Sequence, residues 1–211
     1  MPFTSELVVV RHGDTEWAIH GRHTGCTDVA LTGQGRREAA ALAGLLAGRQ
    51  FARVLVSPLQ RAEETCRLAG FGDAAQLCPD LEEWNYGAYE GRTTDEILAE
   101  RPGWSLWRDG VPGGETVDEV GERADRVIAE ARSAGGDVAL FAHGHVLRIL
   151  AARWIGMPAS AGQHLALDPA GVGTLGYEHD YPVIRAWNRT VDPATARTGP
   201  ARPAGPAPSR S

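Results

Sequence analysis

Apolar residues form several short continuous runs along the chain, and these runs predict buried strands. The first three are Leu7–Val10, Val54–Val56 and Asp137–Ala142. Two later runs, Gly173–Tyr177 and Pro182–Trp187, predict two further strands. Runs this short are typical of strands, because helices need about ten residues or more.

Between the second and third of these runs, one segment carries strong signals for a helix. Thr116 and Glu119 match a capping box, in which the side chain of each residue accepts a hydrogen bond from the backbone amide of the other at the start of a helix. Apolar residues then recur at intervals of three and four, at Val117, Val120, Ala124, Val127, Ile128 and Ala131. This spacing predicts an amphipathic helix with one buried face.

Three other segments between the strands carry the same helical signals. Thr32 can cap a helix that passes through Ala39, Leu42, Leu45 and Leu46 and stops at Gly48. Ser57-Pro58 opens a helix from Leu59 to about Ala69, and a third helix passes through Leu147, Leu150 and Trp154. Helices that alternate with strands predict a three-layer α/β/α sandwich around a mostly parallel sheet.

Composition changes abruptly near residue 192. The segment 1–191 is predicted to form one domain, since a single core commonly spans about 100 to 200 residues. From 192 to 211 the chain consists mainly of Pro, Ala, Gly, Arg, Thr and Ser without apolar periodicity. This end of the chain is predicted to be a disordered tail.

The charge balance restricts the kind of partner that the protein can bind. The net charge is −6 and no basic run occurs, which argues against nucleic acids and anionic membranes as partners. All 21 cationic side chains are arginines. The absence of lysine removes a P-loop lysine and a Schiff-base mechanism, so any phosphate must be held by a local site built from other groups.

Three cysteines, Cys26, Cys66 and Cys78, are odd in number and lack C-x-x-C spacing. They predict neither a disulfide framework nor a zinc knuckle. Met1–Val10 does not resemble a secretory signal, and the sequence has no run of about 18 apolar residues. A cytoplasmic, reducing location is therefore expected.

Polar residues with chemical potential follow three of the predicted strands. Arg11 and His12 follow the first strand, Arg61 follows the second, and His143-Gly144 follows the strand that ends at residue 142. The carboxyl ends of parallel strands meet at one edge of a sheet, where ligands commonly bind. Two histidines and two arginines at this edge predict a cationic pocket for a phosphoryl group.

Metal binding is the competing use of these histidines. His143 and His145, together with His12 and His23, could supply imidazole ligands to zinc. The neighbouring arginines argue against it, because guanidinium groups stay charged and repel a divalent cation. We therefore expect neither a metal nor another cofactor.

Six segments of the chain carry these residues in a fixed order. They are VVVRHGDTEW at Val8–Trp17, GRHTGCTDVALTGQG at Gly21–Gly35, SPLQRAEET at Ser57–Thr65, LEEWNYGAYEG at Leu81–Gly91, GGET at Gly113–Thr116 and FAHGHVLRIL at Phe141–Leu150. Together they resemble the histidine phosphatase superfamily, which includes cofactor-dependent phosphoglycerate mutases. HTGCTD, EEWNYGAYEG and AHGHVLR are most similar to members of the sedoheptulose-bisphosphatase and acid-phosphatase type.

The resemblance implies a phosphoglycerate mutase-like fold and a role for each matching residue. His12 matches the nucleophile, Arg11, Arg61 and His143 match the phosphate clamp, and Glu83 matches the proton donor. Thr24 and Gly25 match a loop that contacts the phosphate in relatives. Gly13, Thr15, Gly144 and His145 are further candidates for substrate binding. Without the family spacing, Glu82 and Glu83 could not be told apart.

Other residues are candidates for the wall of the substrate pocket. These are His145, Trp84, Trp104, Trp107 and Arg108, although the sequence leaves open whether each tryptophan lines the pocket or packs in the core. His20 and His164 receive no role.

The expected function is hydrolysis of small phosphorylated metabolites, such as sugar phosphates, through a phosphohistidine. One alternative is a mutase, although Ala18 stands where mutases of the family have an asparagine, and the lysine that they carry is absent. The other is an inactive phosphate-binding module, which need not retain a nucleophile, a clamp and an acid together. The sequence leaves the oligomeric state open, with a homodimer as one option.

Overall fold

The computed structural model describes residues 5–191, so the predicted tail at 192–211 lies outside the described residues. Within that range six strands form one sheet: β1 (Leu7–Arg11), β2 (Arg53–Val56), β3 (Ala75–Leu77), β4 (Val138–Ala142), β5 (Val172–Glu178) and β6 (Tyr181–Arg189). Their order is β3-β2-β4-β1-β5-β6. Strands β1, β2, β3 and β4 pair with one another in parallel, whereas β5 pairs antiparallel with β1 and with β6.

Seven α-helices occur in the described range: α1 (Glu16–Ile19), α2 (Gly33–Leu45), α3 (Gln60–Leu68), α4 (Thr94–Glu100), α5 (Leu106–Asp109), α6 (Val117–Ser133) and α7 (Gly144–Trp154). The predicted N-caps at Thr32 and Thr116 are confirmed. The Thr32 side chain accepts a hydrogen bond from the Gly35 amide, and Thr116 and Glu119 form the capping box that starts α6. None of these helices is long and apolar enough to cross a membrane.

The side chains of the central strands alternate between two apolar clusters. On β1, Leu7 and Val9 face the cluster that includes residues of α6 and α7. Val8 and Val10 face the cluster that contains residues of α2 and α3. Each fully buried aliphatic side chain stabilises the fold by about 1.5–3 kcal/mol. The sheet is thus the middle layer of the predicted α/β/α sandwich.

The sequence patterns did not predict several short elements of the structure. Strand β3 is three residues long and lies at the sheet edge, where Gln76 and Leu77 are exposed, so it lacks an apolar run. Helices α1, α4 and α5 are too short for a periodic pattern. The core strands were located correctly, and the parallel arrangement of β1, β2 and β4 brings their carboxyl ends to one edge.

Candidate active site

His12 lies directly after β1, and its position is fixed by the backbone. Its amide donates to the Ala142 carbonyl (3.0 Å), and its own carbonyl accepts from the Ala170 amide (3.0 Å). The residue is 5% exposed, and its Nδ1 lies 2.7 Å from the Gly13 carbonyl oxygen. A carbonyl can only accept, so Nδ1 carries the hydrogen. In the neutral ring Nε2 therefore keeps its lone pair.

The surroundings of His12 favour this neutral form. Burial lowers the pKa of His12 well below its usual value, and the positive charges of Arg61 and then Arg11 lower it further. The hydrogen bond to the carbonyl opposes these effects only in part. An uncharged imidazole with a free Nε2 is a nucleophile that needs no prior deprotonation.

The loop after β1 packs tightly against the start of α2. A Cβ atom on Gly13 would lie 2.3 Å from the Gly35 carbonyl oxygen, so only glycine fits there. The Gly13 amide donates to Thr65 Oγ1 (3.2 Å), and that hydroxyl donates to the Arg61 carbonyl (2.7 Å). These contacts hold the His12 backbone against α3.

Arg61 is fully buried, and protein groups accept most of its hydrogen bonds. Its Nε donates to His143 Nδ1 (3.0 Å), and Nη1 donates to the Thr27 carbonyl (2.9 Å). Its Nη2 donates to the carbonyls of Thr24 (3.2 Å) and Gly25 (2.8 Å). Arg61 thereby ties the 24–27 loop to α3.

His143 lies beside His12 and is also fully buried, with 5.1 Å between the two ring centroids. Because Nδ1 accepts from Arg61, Nε2 carries the hydrogen and donates to Ser57 Oγ (2.7 Å). Burial lowers the pKa of His143 well below its usual value, and Arg61 adds to this. In this state Arg61 and His143 form a layer beneath the cleft and do not line it.

Arg11 lies next to His12 and keeps a donor group without a partner among the described residues. One of its Nη1 hydrogens is bonded to the Leu167 carbonyl (2.5 Å), but its Nε is buried without a partner among the described residues. Gly144 leaves space next to this group, since a Cβ there would lie 3.4 Å from Nε. Buried charged donors are normally paired, so this guanidinium indicates an anion-binding position.

Glu83 is held against the first turn of α7. Its Oε1 accepts from the amides of Trp84 and Val146, and its Oε2 accepts from the amide of His145, each at 2.9 Å. Its side chain lines the same cleft as His12. Glu82, the alternative in the sequence, is not among the residues of the cleft wall.

Arg11, His12 and Glu83 line a cleft of about 440 Å³, a volume within the usual range for small-molecule sites. The predicted site residues that line it are Arg11, His12, Thr24, Glu83, Gly144 and His145, joined by Trp104 and Trp107. The predicted residues outside the lining are Gly13, Thr15, Gly25, Arg61, His143, Trp84 and Arg108.

Three of the residues outside the lining, Thr15, Trp84 and Arg108, make other contacts in the structure. Thr15 is buried and caps α1 by accepting from the Ala18 amide. Trp84 is a core residue whose indole donates to the Glu115 carbonyl, and Arg108 pairs with the adjacent Asp109. Of the two alternatives left open for Trp84, core packing is the one observed, and Arg108, a candidate for the pocket wall, does not line the cleft.

The structure adds wall residues for which the sequence pattern gave no substrate-binding role. They are Ala18, Gly21, Arg22, His23, Tyr86, Thr94, Ser105, Leu106 and Arg148. Tyr86 Oη lies 2.6 Å from His145 Nδ1, and burial raises the pKa of Tyr86 well above its usual value. These residues come from distant parts of the chain, so only the fold brings them together.

Two of the histidines considered as metal ligands, His143 and His23, form hydrogen bonds with protein groups instead. Both ring nitrogens of His143 are bonded to protein groups, and Nδ1 of His23 donates to the Arg92 carbonyl (2.8 Å). Within residues 5–191 no group of three or more His, Cys, Asp or Glu side chains is arranged to hold a metal ion.

Comparison with known proteins agrees with this geometry. The family model "Histidine phosphatase superfamily (branch 1)" matches residues 7–190. An acid phosphatase of Mycobacterium tuberculosis is 38% identical over 92% of this chain and 97% of its own length. The sedoheptulose 1,7-bisphosphatase of Saccharomyces cerevisiae is 35% identical over 73% of this chain and 69% of its own.

A solved structure shows the same likeness in three dimensions. The mycobacterial glucosyl-3-phosphoglycerate phosphatase superposes with a TM-score of 0.79 at 28% identity, covering 89% of this chain and 100% of that one. Family match, fold and site geometry lead to one conclusion. The chain belongs to the histidine phosphatase superfamily, and its relatives support its being a phosphatase.

Proposed function

We propose that the protein is a metal-independent phosphomonoesterase in which His12 is the nucleophile, Arg11 binds the phosphoryl oxygens and Glu83 is the proton donor. One observation carries this proposal. A neutral His12 with a free Nε2 and an Arg11 guanidinium with an unpartnered Nε line the same cleft. Small phosphomonoesters, sugar phosphates among them, are the proposed substrates.

In the first step, His12 Nε2 attacks phosphorus, and the bond from phosphorus to the ester oxygen breaks. Negative charge spreads over the phosphoryl oxygens, where Arg11 stabilises it. The departing alkoxide takes a proton from Glu83, because an alkoxide is a poor leaving group without one. The products are the alcohol and phosphohistidine.

In the second step, water attacks the phosphohistidine and Glu83 takes a proton from that water. The bond from phosphorus to Nε2 breaks, which releases phosphate and restores His12. The two separate steps predict ping-pong kinetics.

Arg61 and His143 match the phosphate clamp of the family, but neither lines the cleft. Both are completely covered, and their ring and guanidinium nitrogens bond to each other, to Ser57 Oγ and to backbone carbonyls. We propose that Arg61 lowers the pKa of His12 and that both residues fix its surroundings. Direct contact with substrate oxygens requires some of these hydrogen bonds to exchange.

Arginines replace a metal ion as the source of positive charge in this proposal. We expect chelators to leave hydrolysis of p-nitrophenyl phosphate unchanged. We expect vanadate, which can adopt the five-coordinate geometry of the transition state, to inhibit competitively and far more strongly than phosphate. Steady-state assays with EDTA-treated protein test this. Loss of activity on metal removal, with recovery on adding zinc or magnesium, would contradict it.

A mutase is the second candidate function, and the positions at which family mutases carry their own polar groups argue against it. A mutase must retain its phosphohistidine and grip a substrate carboxylate. Ala18 lines the cleft where family mutases have an asparagine, so one polar contact is missing. Three arginines that could replace the missing lysine, Arg92, Arg101 and Arg108, bond to Glu100, Tyr89 and Asp109, and none lines the cleft.

The two functions differ in their product from 3-phosphoglycerate. We expect inorganic phosphate, with or without added 2,3-bisphosphoglycerate, and phosphorus NMR of the mixture distinguishes the products. Formation of 2-phosphoglycerate faster than release of phosphate would overturn the proposal. The absence of both products, with turnover of other phosphomonoesters, would restrict the substrate class only.

We also propose a reducing, cytoplasmic location. All three cysteines are free thiols: Cys66 and Cys78 are buried and Cys26 is exposed. Burial raises the pKa of Cys66 to about 12, so this thiol stays protonated and unreactive. Cys66 and Cys78 are packed as core residues, and no disulfide joins the cysteines of the described range.

A further inference from the structure

The end of β6 contains a β-bulge. The register between β5 and β6 shifts there, so that Trp187 and Asn188 together oppose Gly173 alone. Asn188 has a φ of 53°, in the left-handed region that few residues other than glycine adopt. Bulges change the direction of side chains and are frequent next to active sites. The bulge therefore directs the Asn188 side chain away from the regular alternation of the strand.

The two bulged residues bind the chain segment 166–171, which leads into β5. Asn188 Oδ1 accepts from the Asp168 amide and Nδ2 donates to the Asp168 carboxylate, each at 2.8 Å. We call these two hydrogen bonds the clasp. The indole of Trp187 donates to the Ala166 carbonyl (2.6 Å). The bulged end of β6 thus holds this segment in place.

The segment contains a tight turn with an unfavourable backbone conformation. The Gly171 amide donates to the Asp168 carbonyl (2.8 Å), which closes a turn with Pro169 and Ala170 at its centre. Ala170 has a φ of 51°, and a positive φ at the third position of a turn favours glycine. Such a conformation persists only where surrounding contacts enforce it. The clasp, which bonds to both polar groups of Asp168, is such a contact.

This segment supplies backbone groups to both Arg11 and His12. The Leu167 carbonyl accepts from Arg11 Nη1 (2.5 Å), and the Gly171 carbonyl accepts from the Arg11 amide (3.0 Å). The Ala170 amide donates to the His12 carbonyl (3.0 Å). The segment itself does not line the cleft. It therefore acts on the reaction only through the two residues that it holds.

We propose that Asn188 is a positioning residue: its clasp on Asp168 holds the segment that orients the Arg11 guanidinium at the phosphoryl site. This role rests on the proposed function, because it takes Arg11 as the group that binds the phosphoryl oxygens. With Nη1 held by the Leu167 carbonyl, the unpartnered Nε of Arg11 keeps a fixed direction. Fixed donors stabilise charge in the transition state without reorganisation, so a loose segment weakens binding of that state.

Asn188→Gly removes the clasp and keeps the backbone conformation, because glycine adopts a positive φ freely. We expect its Kd for vanadate, measured by calorimetry, to rise about tenfold, because a displaced guanidinium loses part of its contact with the anion. For glycerol 3-phosphate and p-nitrophenyl phosphate alike, kcat/KM should fall by a similar factor, since both contain the same phosphoryl group. The calorimetric stoichiometry reports the folded fraction, so loss of stability alone does not change Kd.

His179→Gly is the matched control. His179 also has a positive φ, of 55°, but it is exposed between β5 and β6, at the other end of this hairpin, and lies outside the cleft. The same type of substitution is thus made far from the segment 166–171. We expect this variant to bind vanadate with wild-type affinity.

An exchange of the two clasp side chains separates positioning from a general structural role. Asn188→Asp places a second carboxylate against that of Asp168, and we expect it to weaken vanadate binding at least as much as Asn188→Gly. Adding Asp168→Asn restores one amide and one carboxylate in reverse order. We expect this double variant to recover most of the wild-type affinity, because two residues in direct contact do not contribute additively.

A wild-type Kd for vanadate in Asn188→Gly would overturn the proposed role of Asn188. An equal loss of affinity in His179→Gly, or a double variant that binds no better than Asn188→Asp, would also overturn it. Hydrolysis of no phosphomonoester by the wild type would instead contradict the proposed function. In that case the vanadate affinities of the variants still decide whether the clasp positions Arg11.

Discussion

We expect His12→Ala to lower kcat/KM for every phosphomonoester at least about 10³-fold, because the variant lacks the atom that forms the bond to phosphorus. The change removes only one protein hydrogen bond of the ring, to the Gly13 carbonyl. His164→Ala is the matched control, since His164 is exposed and outside the cleft. Phosphate-release assays on both variants, with thermal unfolding curves, measure the effect.

The same nucleophile is expected to carry phosphate during turnover. Wild-type protein quenched while hydrolysing radiolabelled substrate should hold acid-labile, alkali-stable label on the peptide that contains His12. Label that survives acid would indicate a serine or threonine ester instead. That result, or substantial turnover by His12→Ala, would contradict the mechanism.

The sequence predicted the core of the fold better than its edges, for a physical reason. Strands β1 and β4 are buried on both faces, so their sequences are continuous apolar runs. Strand β3 has one neighbour and exposed side chains, so its sequence resembles a loop. The antiparallel direction of β5 and β6 could not be read, because an apolar run does not encode its direction.

The candidate site was predicted in part. Strand ends gave the positions of His12 and His143, because the carboxyl edge of a parallel sheet collects such residues. The hydrogen bonds between Arg61, His143 and Ser57 depend on side-chain geometry that the sequence pattern does not contain. Arg148 was missed because a single arginine on an amphipathic helix resembles a solvated surface residue until the fold places it in the cleft.

Glu83→Gln is expected to separate substrates by their leaving group. For glycerol 3-phosphate, kcat/KM should fall about 10²- to 10³-fold, because the alkoxide no longer receives a proton. For p-nitrophenyl phosphate it should fall only a fewfold, since nitrophenolate leaves without protonation. Stopped-flow and steady-state assays of both substrates measure this difference.

The second chemical step gives an independent signature of the same variant. If Glu83 also activates water, hydrolysis of the phosphohistidine is slowed in Glu83→Gln whichever alcohol has departed. Nitrophenolate should then appear in a burst of about one equivalent, followed by slow turnover, as expected when a covalent intermediate accumulates. Equal losses of kcat/KM on both substrates, without a burst, would argue against Glu83 as the acid.

The geometry around Glu83 determines the controls. Its two carboxylate oxygens accept three amide hydrogens, so the NH₂ group of glutamine must face at least one N–H or rotate away. An unsatisfied buried donor costs about 1–3 kcal/mol, and some loss of stability is therefore expected. This loss affects both substrates equally, whereas the loss of a proton donor does not. Glu82→Gln, adjacent in sequence but outside the cleft wall, should leave both rates unchanged, and a selective effect there would assign the proton donor to Glu82.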